Sequence, residues 1–225
     1  MRSKNVYLML ATLCVFMPLA CSGADETNEI QTIAVPKLDV AVELDGQMRE
    51  DAWSKAASFP VNEAVIGKVQ PGCETTVKVW RSADALYLGF RCENPYLPLF
   101  LKAGKRSRDD GSVCSDECIE IFIRTPAGAE PTRQLVVNAL GSIYDGTFSS
   151  GFQSDWNGTW TCATSVARGA WYAEVKIPFA DLGGNPESIL INCARAGYGK
   201  NGVNWNSVWK APGYHKPLLN IVLVD

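Results

Sequence analysis

The sequence predicts an all-β protein, a two-sheet antiparallel sandwich with one or two short helices. Many short segments alternate between apolar and polar side chains, which is the period of a strand with one buried face. Clusters of Gly, Pro, Asn and Asp separate these segments. The sequence has no βαβ pattern and no glycine-rich phosphate motif. Together these observations favour a sandwich over an α/β fold.

The predicted elements follow one another from the opening helical turn to the last strand. One helical turn is predicted over Met48–Ala57, capped from Asp45, and another over Phe179–Leu182 after Pro178. The first two strands form a hairpin that turns at residues 82–84. The predicted strands are Thr75–Arg81, Leu86–Cys92, Ile119–Arg124, Gln134–Asn138, Ser142–Thr147, Trp160–Val166, Trp171–Ile177, Ile189–Arg195 and Leu218–Val224.

Residues 1–24 have the pattern of an export signal. Arg2 and Lys4 precede an apolar run over Val6–Ala20, which is short for a membrane span and typical of a signal peptide. The residues around Cys21 resemble the lipobox of bacterial lipoproteins, in which this cysteine is lipidated and becomes the new N-terminus. We therefore expect a membrane-anchored lipoprotein that faces the periplasm or the cell surface.

The rest of the chain divides into a short linker and one domain. Ordinary cleavage within Ser22–Ala24 is the alternative to lipidation, and it would release a secreted or periplasmic protein. Residues 25–33 are polar, acidic and without periodicity, which predicts a linker. Residues 34–225 show no break in composition, so we expect a single domain there.

Six cysteines follow the signal and predict disulfides, because an exported chain meets an oxidising compartment. Spacing alone leaves many pairings open, and the placement of the cysteines on hairpin ends and late strands favours one set. A zinc site is the alternative, but the chain offers no second close cysteine pair and no nearby His to complete it. The expected disulfides join Cys73 to Cys92, Cys162 to Cys193 and Cys114 to Cys118.

Charge and composition exclude several classes of function. The net charge is −3, the sequence pI is about 5.3, and basic residues form no runs. Nucleic acid is therefore not expected as a partner, because phosphate binding needs a cationic face. The chain has one His, which argues against most metal hydrolases and against nucleophiles activated by an imidazole. Composition favours binding over catalysis.

Five segments, in the right order, are similar to motifs of the family 9 carbohydrate-binding modules and their DOMON-like relatives. The most specific is Asp116–Ile123, which resembles the family pattern (D/E)-D-S-V-E-I-F-I. The resemblance covers nearly all of residues 34–225 and implies a DOMON-like sandwich of the immunoglobulin-like or jelly-roll type. The other segments are Leu44–Trp53, the hairpin pieces Val77–Trp80 and Ala85–Leu88, Glu174–Phe179, and Trp209–Pro217.

The resemblance implies non-catalytic binding of a glycan, often at the ends of β-linked glucan or xylan chains, beside exported glycoside hydrolases that break down polysaccharides. In the family, two Trp rings sandwich a terminal sugar while polar side chains bind its hydroxyls. Such a site suits a pyranose, which has an apolar C–H face and a polar rim. Carried over by position, the sugar-binding residues of this chain are Glu120, Asn138, Asn206 and Trp209.

Two positions depart from the family pattern. Cys114 stands where the first stacking Trp is expected, and Val136 stands where an Arg is expected. Either another aromatic residue supplies the missing wall, or the ligand differs from that of the family. The candidates for a replacement wall are Tyr96, Phe100, Tyr144 and Trp156.

Several of these residues also have ordinary structural interpretations. Glu120 alternates with Ile119 and Ile121, so its side chain belongs either to a solvated strand face or to a pocket. The predicted loop at residues 199–213 contains Trp205 and Trp209, where an aromatic platform is easier to explain than packing. Other Trp residues fall on strand or helix patterns and are expected in the core, namely Trp53, Trp80 and Trp171.

No cofactor is expected, although four acidic residues near Gly111 are candidates for calcium or for a solvated loop. The alternatives to a sugar-binding module are a glycoside hydrolase that uses Glu117 and Glu120, a haem-binding relative that uses Met48 and His215, and a structural envelope protein. Glu117 and Glu120 fall on opposite faces of one strand, which argues against the hydrolase. The four acidic residues are Asp109, Asp110, Asp116 and Glu117.

Overall fold

Two facing β-sheets form most of the structure. The computed structural model describes residues 31–125, 131–148, 152–153, 156–199, 204–208 and 219–223. The helical elements are α1 (Asp51–Lys55) and two 3₁₀ helices, Gly111–Ser115 and Phe179–Leu182. The strands are β1 (Gln31–Val35), β2 (Ala57–Pro60), β3 (Glu63–Ile66), β4 (Thr75–Arg81), β5 (Ala85–Glu93), β6 (Cys118–Arg124), β7 (Thr132–Asn138), β8 (Ile143–Phe148), β9 (Phe152–Gln153), β10 (Thr161–Ala167), β11 (Ala170–Pro178), β12 (Ser188–Tyr198), β13 (Asn204–Val208) and β14 (Leu219–Leu223).

The two sheets have different sizes and separate strand orders. The first sheet has nine strands. Seven of them follow the order β1-β14-β12-β6-β7-β8-β9; of the other two, β13 pairs with β12, and β3 pairs with β13. The second sheet has five strands in the order β10-β11-β5-β4-β2. Among the described strands, β1 pairs with β14 in parallel, and the other pairs are antiparallel. The expected two-sheet sandwich is confirmed.

The main core lies between the two sheets and follows from the alternation of the strands. On β6, Ile119, Ile121 and Ile123 are buried toward the second sheet. On β5, Leu88 and Phe90 are buried toward the first sheet. Because successive side chains of a strand point to opposite faces, the residues between them belong to the outer faces of the sandwich. The outer face of the first sheet therefore includes Glu120.

A second apolar cluster covers part of the outer face of the second sheet. Trp53 of α1 contacts Trp80 edge to face, with 6.0 Å between ring centroids, and Trp80 stacks on Tyr87 at 3.9 Å. Gly89 of β5 allows this packing, because a Cβ there would lie 2.5 Å from Met48 Cε and 2.7 Å from Trp53 Cζ3. The prediction that the strand and helix tryptophans are buried is correct, since Trp53, Trp80 and Trp171 are all at most 1% exposed.

The opening helix is shorter than predicted and is not capped by Asp45. Gly46 and Met48 have positive φ angles of 76° and 53°, which an α-helix cannot accommodate. Asp45 instead accepts a hydrogen bond from Gln47 N at 2.8 Å, while Glu50 occupies the N-cap position without a side-chain cap bond. None of the helices within the described ranges is long and apolar enough to cross a membrane.

Pairing between distant segments adds strands that local patterns did not predict. β1 begins at Gln31, so the first strand crosses the predicted boundary between linker and domain at residue 34. β13 lies inside the predicted loop 199–213, where Gly and Asn give little local preference for a strand. Its hydrogen bonds come from β12 on one side and from the unpredicted β3 on the other.

The three predicted disulfides are not formed, and all six cysteines of the domain are free thiols in the structure. Cys193 lies on the first sheet opposite Ile121, whereas Cys162 lies on the second sheet opposite Val175. Burial raises the pKa values of the thiols, to about 12 for Cys92 and for Cys162, because a thiolate is poorly solvated there. The neutral thiols pack as small apolar groups, which is a common role for a buried cysteine. The other members of the predicted pairs are Cys73, Cys114 and Cys118.

Candidate functional site

Glu120 lies near the middle of β6, on the outer face of the first sheet. The register places it between Ala194 of β12 and Val136 of β7, and Val136 in turn lies opposite Tyr144 of β8. Neighbouring strands are about 5 Å apart, so the Cα atoms of Glu120 and Tyr144 are roughly 10 Å apart. The carboxylate and the half-buried phenol ring therefore share one row of the sheet. Val208 of β13 lies opposite Ala194 and extends this row.

The carboxylate of Glu120 is nearly buried and has few polar neighbours. The residue is 8% exposed, and its Oε2 accepts a hydrogen bond from Gln134 Nε2 at 2.6 Å. Among the described residues Gln134 is its single hydrogen-bond partner. Burial raises the pKa of Glu120 to about 7, and the hydrogen bond from Gln134 offsets this only in part. The interpretation of Glu120 as a solvated strand residue is therefore wrong.

Apolar side chains surround this carboxylate on the outer face. Val113 of the 3₁₀ helix Gly111–Ser115 packs there against Val136, and both are fully buried. Asp110 caps the start of this helix, since its Oδ1 accepts from Ser112 N at 2.9 Å. The cluster that walls the site comprises Val113, Cys118, Val136 and Ala196, with Cys114, Tyr144 and Tyr198 partly buried against it.

Asn138 is held in place by hydrogen bonds within the fold. Its Nδ2 donates to Gly104 O and to Asp116 Oδ2, both at 2.8 Å. Its Oδ1 accepts from Leu140 N at 3.0 Å and from Ser142 N at 2.9 Å. The side chain is fully buried and its donors and acceptors are occupied within the fold, while its role as a sugar contact stays a prediction. Its role is to close the β7–β8 turn.

Of the other two predicted sugar-binding residues, Asn206 is on a described strand and Trp209 is not among the described residues. Asn206 is on β13, where its backbone pairs with Ala196 of β12. Ala196 in turn lies opposite Cys118, so Asn206 is in the row beside that of Glu120. Trp209 lies outside the described residues, as do Cys21 and His215. Sequence reasoning missed Gln134, because its contact with Glu120 depends on how β6 and β7 pair.

Among the four proposed replacement walls, Tyr144 is the one that shares a sheet row with Glu120. Tyr96 and Phe100 contact each other edge to face in the loop before the 3₁₀ helix. Trp156 packs against the main core, and the Arg133 guanidinium lies 5.6 Å from its ring centroid. Tyr144 is therefore the replacement candidate that the strand register brings nearest to Glu120.

The acidic residues near Gly111 form hydrogen bonds and ion pairs with other residues of the chain. Asp116 accepts two hydrogen bonds from Arg106, at 2.9 and 2.8 Å. Burial acts to raise the pKa of Asp116, but the bonds from Arg106 and Asn138 outweigh it and lower the pKa. Asp110 caps the 3₁₀ helix, and Asp109 lies 3.8 Å from the Arg108 guanidinium. Asp116 is 3% exposed, so it is not part of a solvated loop, while calcium binding by this group stays a prediction.

Glu117 forms a buried ion pair with Arg195 in the interior of the sandwich. Neither side chain has any exposed surface. Glu117 also accepts hydrogen bonds from Trp171 Nε1 at 3.1 Å and from Tyr198 N at 2.9 Å. Glu117 thus faces the interior while Glu120 faces outward, and the two carboxylates do not converge on one bond as glycoside hydrolysis requires.

One further group of three acidic residues lies at the start of the domain. Among the described residues, Asp45, Glu50 and Glu174 bring one carboxylate oxygen each within 4.8 Å of the others. Glu174 is already used by the fold, because it accepts from Gly46 N at 2.6 Å and from Trp53 Nε1 at 2.8 Å. It therefore fixes the loop before α1. Met48 of the haem hypothesis packs in this same region, against the Trp53 cluster.

Comparisons with known proteins show the fold. No protein-family model matches the sequence, and a search of curated proteins gives no significant match. A protein from Bacteroides uniformis, for which carbohydrate binding has been proposed, superposes with a TM-score of 0.68 at 15% identity, over 86% of this chain and 99% of that chain. A family 9 carbohydrate-binding module from Caldicellulosiruptor kristjanssonii superposes at 0.57 and 14% identity in complex with cellotriose (86% and 93% covered). A family 9 module from the same organism in complex with glucose superposes with a TM-score of 0.62 at 13% identity, over 86% of this chain and 96% of that chain. The chain therefore has the fold of the family 9 modules, as the motifs implied.

Proposed function

We propose that this chain binds carbohydrate without catalysis, at the outer face of the first sheet around Glu120. The observation that carries the proposal is one sheet row that pairs a nearly buried carboxylate with a half-buried tyrosine ring. Burying a carboxylate with a single hydrogen bond is costly, and groups of this kind cluster at functional sites. Glu120 and Tyr144 are this pair.

The chemistry of the row suits a pyranose ring. The apolar C–H face of a sugar packs on an aromatic ring such as that of Tyr144. An ionised carboxylate has two acceptor oxygens and about four lone-pair sites, and Gln134 uses one of those sites on Glu120. Glu120 can therefore accept sugar hydroxyls, and hydrogen bonds to an ionised group are about twice as strong as neutral ones. Apolar walls raise the value of each bond by excluding water.

The structural neighbours support a sugar as the class of ligand. The module from Caldicellulosiruptor kristjanssonii was solved with cellotriose and with glucose. This chain differs at the site, because Cys114 replaces a stacking Trp and Tyr144 supplies an aromatic surface from β8. We expect β-linked gluco-oligosaccharides to bind, with a different order of preference among sugars from that of the family pattern.

Glu117 and Glu120, the carboxylate pair considered for a hydrolase, are not arranged for hydrolysis. Glu117 is neutralised by Arg195 on the inner side of the sheet, so Glu120 lacks it as a partner across a glycosidic bond. This supports binding rather than hydrolysis. An assay for released reducing sugar should stay at background with glucan, xylan and mannan.

Calorimetric titration with cellotriose, xylotriose and mannotriose tests the proposal. We expect one of these sugars to bind, and Tyr144→Ala to lose about 1–3 kcal/mol of binding free energy, or ten- to hundredfold in affinity. Tyr96→Ala is the matched control, since Tyr96 contacts Phe100 in the loop after β5 and is not on the strands that form the row of Glu120 and Tyr144. Equal binding by the wild type and Tyr144→Ala would place the sugar elsewhere.

The cellular setting is part of the proposal and rests on the N-terminal sequence. We propose that the protein is exported, anchored through a lipidated Cys21, and placed beside glycoside hydrolases that supply its glycan. Two or three acyl chains hold a protein on a membrane stably, whereas one does not. Labelling with a palmitate analogue should mark the protein, and Cys21→Ala should abolish the label. An unlabelled protein found wholly in the soluble fraction would rule out the anchor.

A further inference from the structure

A second groove lies on the outer face of the second sheet, on the opposite side of the sandwich from Glu120. The segment that leads into α1 covers part of this face through the cluster around Trp53 and Trp80. The cover ends at Gln47 and Met48, and the sheet beyond them is open. The step between cover and open sheet creates a groove of about 430 Å³. This volume is within the usual range for small-molecule sites.

The floor of the groove is a row of polar and aromatic side chains. Tyr172 of β11, Arg91 of β5 and Thr76 of β4 lie opposite one another across three adjacent strands. Lys78 comes from the next row of β4, and Glu93 from the end of β5. The floor therefore offers one half-buried ring, a hydroxyl and both signs of charge.

These groups can be engaged by a ligand at little cost. Arg91 Nη2 lies 2.9 Å from Glu93 Oε1, with the two side chains 55% and 37% exposed, and surface ion pairs of this kind contribute little to stability. Lys78 Nζ donates to Trp53 O at 2.7 Å, which leaves two of its three N–H groups. The groove therefore presents donors and an acceptor that surround the Tyr172 ring.

The mixture of groups selects the chemistry of the ligand. Glu93 repels an anion but accepts hydroxyl hydrogens, and Arg91 and Lys78 donate to hydroxyl oxygens. A peptide that adds to a sheet needs an unpaired strand edge, whereas β4, β5 and β11 are each paired on both sides. A neutral polyol with an apolar face suits this groove. It carries no negative charge for Glu93 to repel, and it needs no strand edge. Its apolar face packs on Tyr172, and its hydroxyls bond to the charged side chains.

We infer that this groove is a second carbohydrate subsite, in which a neutral sugar ring packs on Tyr172 and its hydroxyls bind Arg91, Glu93 and Lys78. The class of ligand rests on the proposed function, but the site rests on residues that the first site does not share. Because the two sites face away from each other, one molecule can hold two glycan chains. Binding to an insoluble polysaccharide would then gain from avidity.

Fluorine NMR of protein labelled with 3-fluorotyrosine observes both sites in one sample. Single Tyr→Phe variants assign the resonances of Tyr144 and Tyr172, and cellotriose, xylotriose and mannotriose are the probes. We expect both resonances to shift, each with its own saturation curve. Arg91→Ala should weaken the Tyr172 curve about tenfold and leave the Tyr144 curve unchanged. Lys176→Ala is the matched control, because Lys176 lies beside Tyr87 and does not line the groove.

Each outcome of this titration separates the two sites. If the Tyr144 resonance shifts to saturation and the Tyr172 resonance does not shift, the second subsite is overturned and the proposed function stands. A shift of Tyr172 alone would support the groove and remove the site at Glu120. If neither resonance shifts with any of the three sugars, both the second subsite and the site at Glu120 are overturned. An Arg91→Ala variant that binds at the Tyr172 site as tightly as the wild type would also contradict the second subsite.

Discussion

Gln134 Nε2 donates a hydrogen bond of 2.6 Å to Glu120 Oε2 across the paired strands β6 and β7, on the outer face of the first sheet. This bond fixes the position of a carboxylate that is 8% exposed. One carboxylate oxygen is thereby oriented by the fold, and the other accepts no side-chain hydrogen bond from the described residues. The pair is the polar centre of the proposed sugar site.

Replacing Glu120 with Gln should change both the strength and the pH dependence of sugar binding. Because burial raises the pKa of Glu120 to about 7, the wild type gains its charged acceptor only above neutral pH. We expect the wild-type affinity to rise several-fold as the pH increases through about 7, and the Glu120→Gln affinity to stay low and flat. Calorimetric titration of both proteins across this range measures the difference. Parallel pH profiles would mean that Glu120 does not touch the sugar.

The same carboxyl should make the folded state less stable at higher pH. Between pH 4.5, the ordinary pKa, and pH 7, the unfolded chain has lost this proton while the folded chain retains it. The unfolded state therefore binds fewer protons, and the free energy of unfolding falls as pH rises, by about 1.4 kcal/mol per pH unit and about 3 kcal/mol in total. Urea unfolding of the wild type and of Glu120→Gln tests this. The free energy of unfolding of the Glu120→Gln variant should not show this fall with pH. Equal dependence on pH in the variant and the wild type would contradict the raised pKa of Glu120.

Gly89→Ala should destabilise the fold through the cluster around Trp53. A Cβ at this position meets Met48 Cε at 2.5 Å and Trp53 Cζ3 at 2.7 Å, so the helix must move away from the sheet. We expect a loss of about 1–3 kcal/mol in the free energy of unfolding. Gly111→Ala is the control, because a Cβ there meets nothing within 4 Å. Equal melting temperatures for the two variants would show that the helix is not packed on β5 as described.

Glu117→Gln should be strongly destabilising without acting through the sugar site. It leaves Arg195 charged in the interior, and breaking a fully buried ion pair costs about 3–5 kcal/mol. Asp51→Asn is the matched control, because it breaks an exposed pair with Lys55 and should leave stability nearly unchanged. Urea unfolding measures both. A Glu117→Gln variant as stable as the wild type would mean that Arg195 does not depend on this partner.

Local sequence patterns predict the strands and the core well. The hairpin of β4 and β5 follows from alternation on both sides of a turn, and the buried positions of Trp53 and Trp80 follow from apolar spacing. The motif around Glu120 also placed this residue on the outer face of its strand. These features depend on neighbours close in sequence, which a single sequence displays.

The environment of a side chain depends on distant strands and is harder to predict. Asn138 matches the family pattern, yet its side-chain amide forms hydrogen bonds with Gly104, Asp116 and the β7–β8 turn. Gln134 joins the site only through the register of β6 and β7. The cysteine pattern suggested disulfides, but a bond needs two sulfur atoms that meet in space, and all six thiols of the domain are free in the structure. Long-range pairing decides each of these cases.

A crystal structure of the chain with the oligosaccharide that binds best in the titration tests the central claim most directly. The account predicts a sugar ring packed on Tyr144, with carbon atoms within about 4 Å of the phenol ring. It also predicts a hydroxyl within about 3 Å of a Glu120 carboxylate oxygen. A sugar bound only in the Tyr172 groove, or one that touches neither Tyr144 nor Glu120, would contradict it.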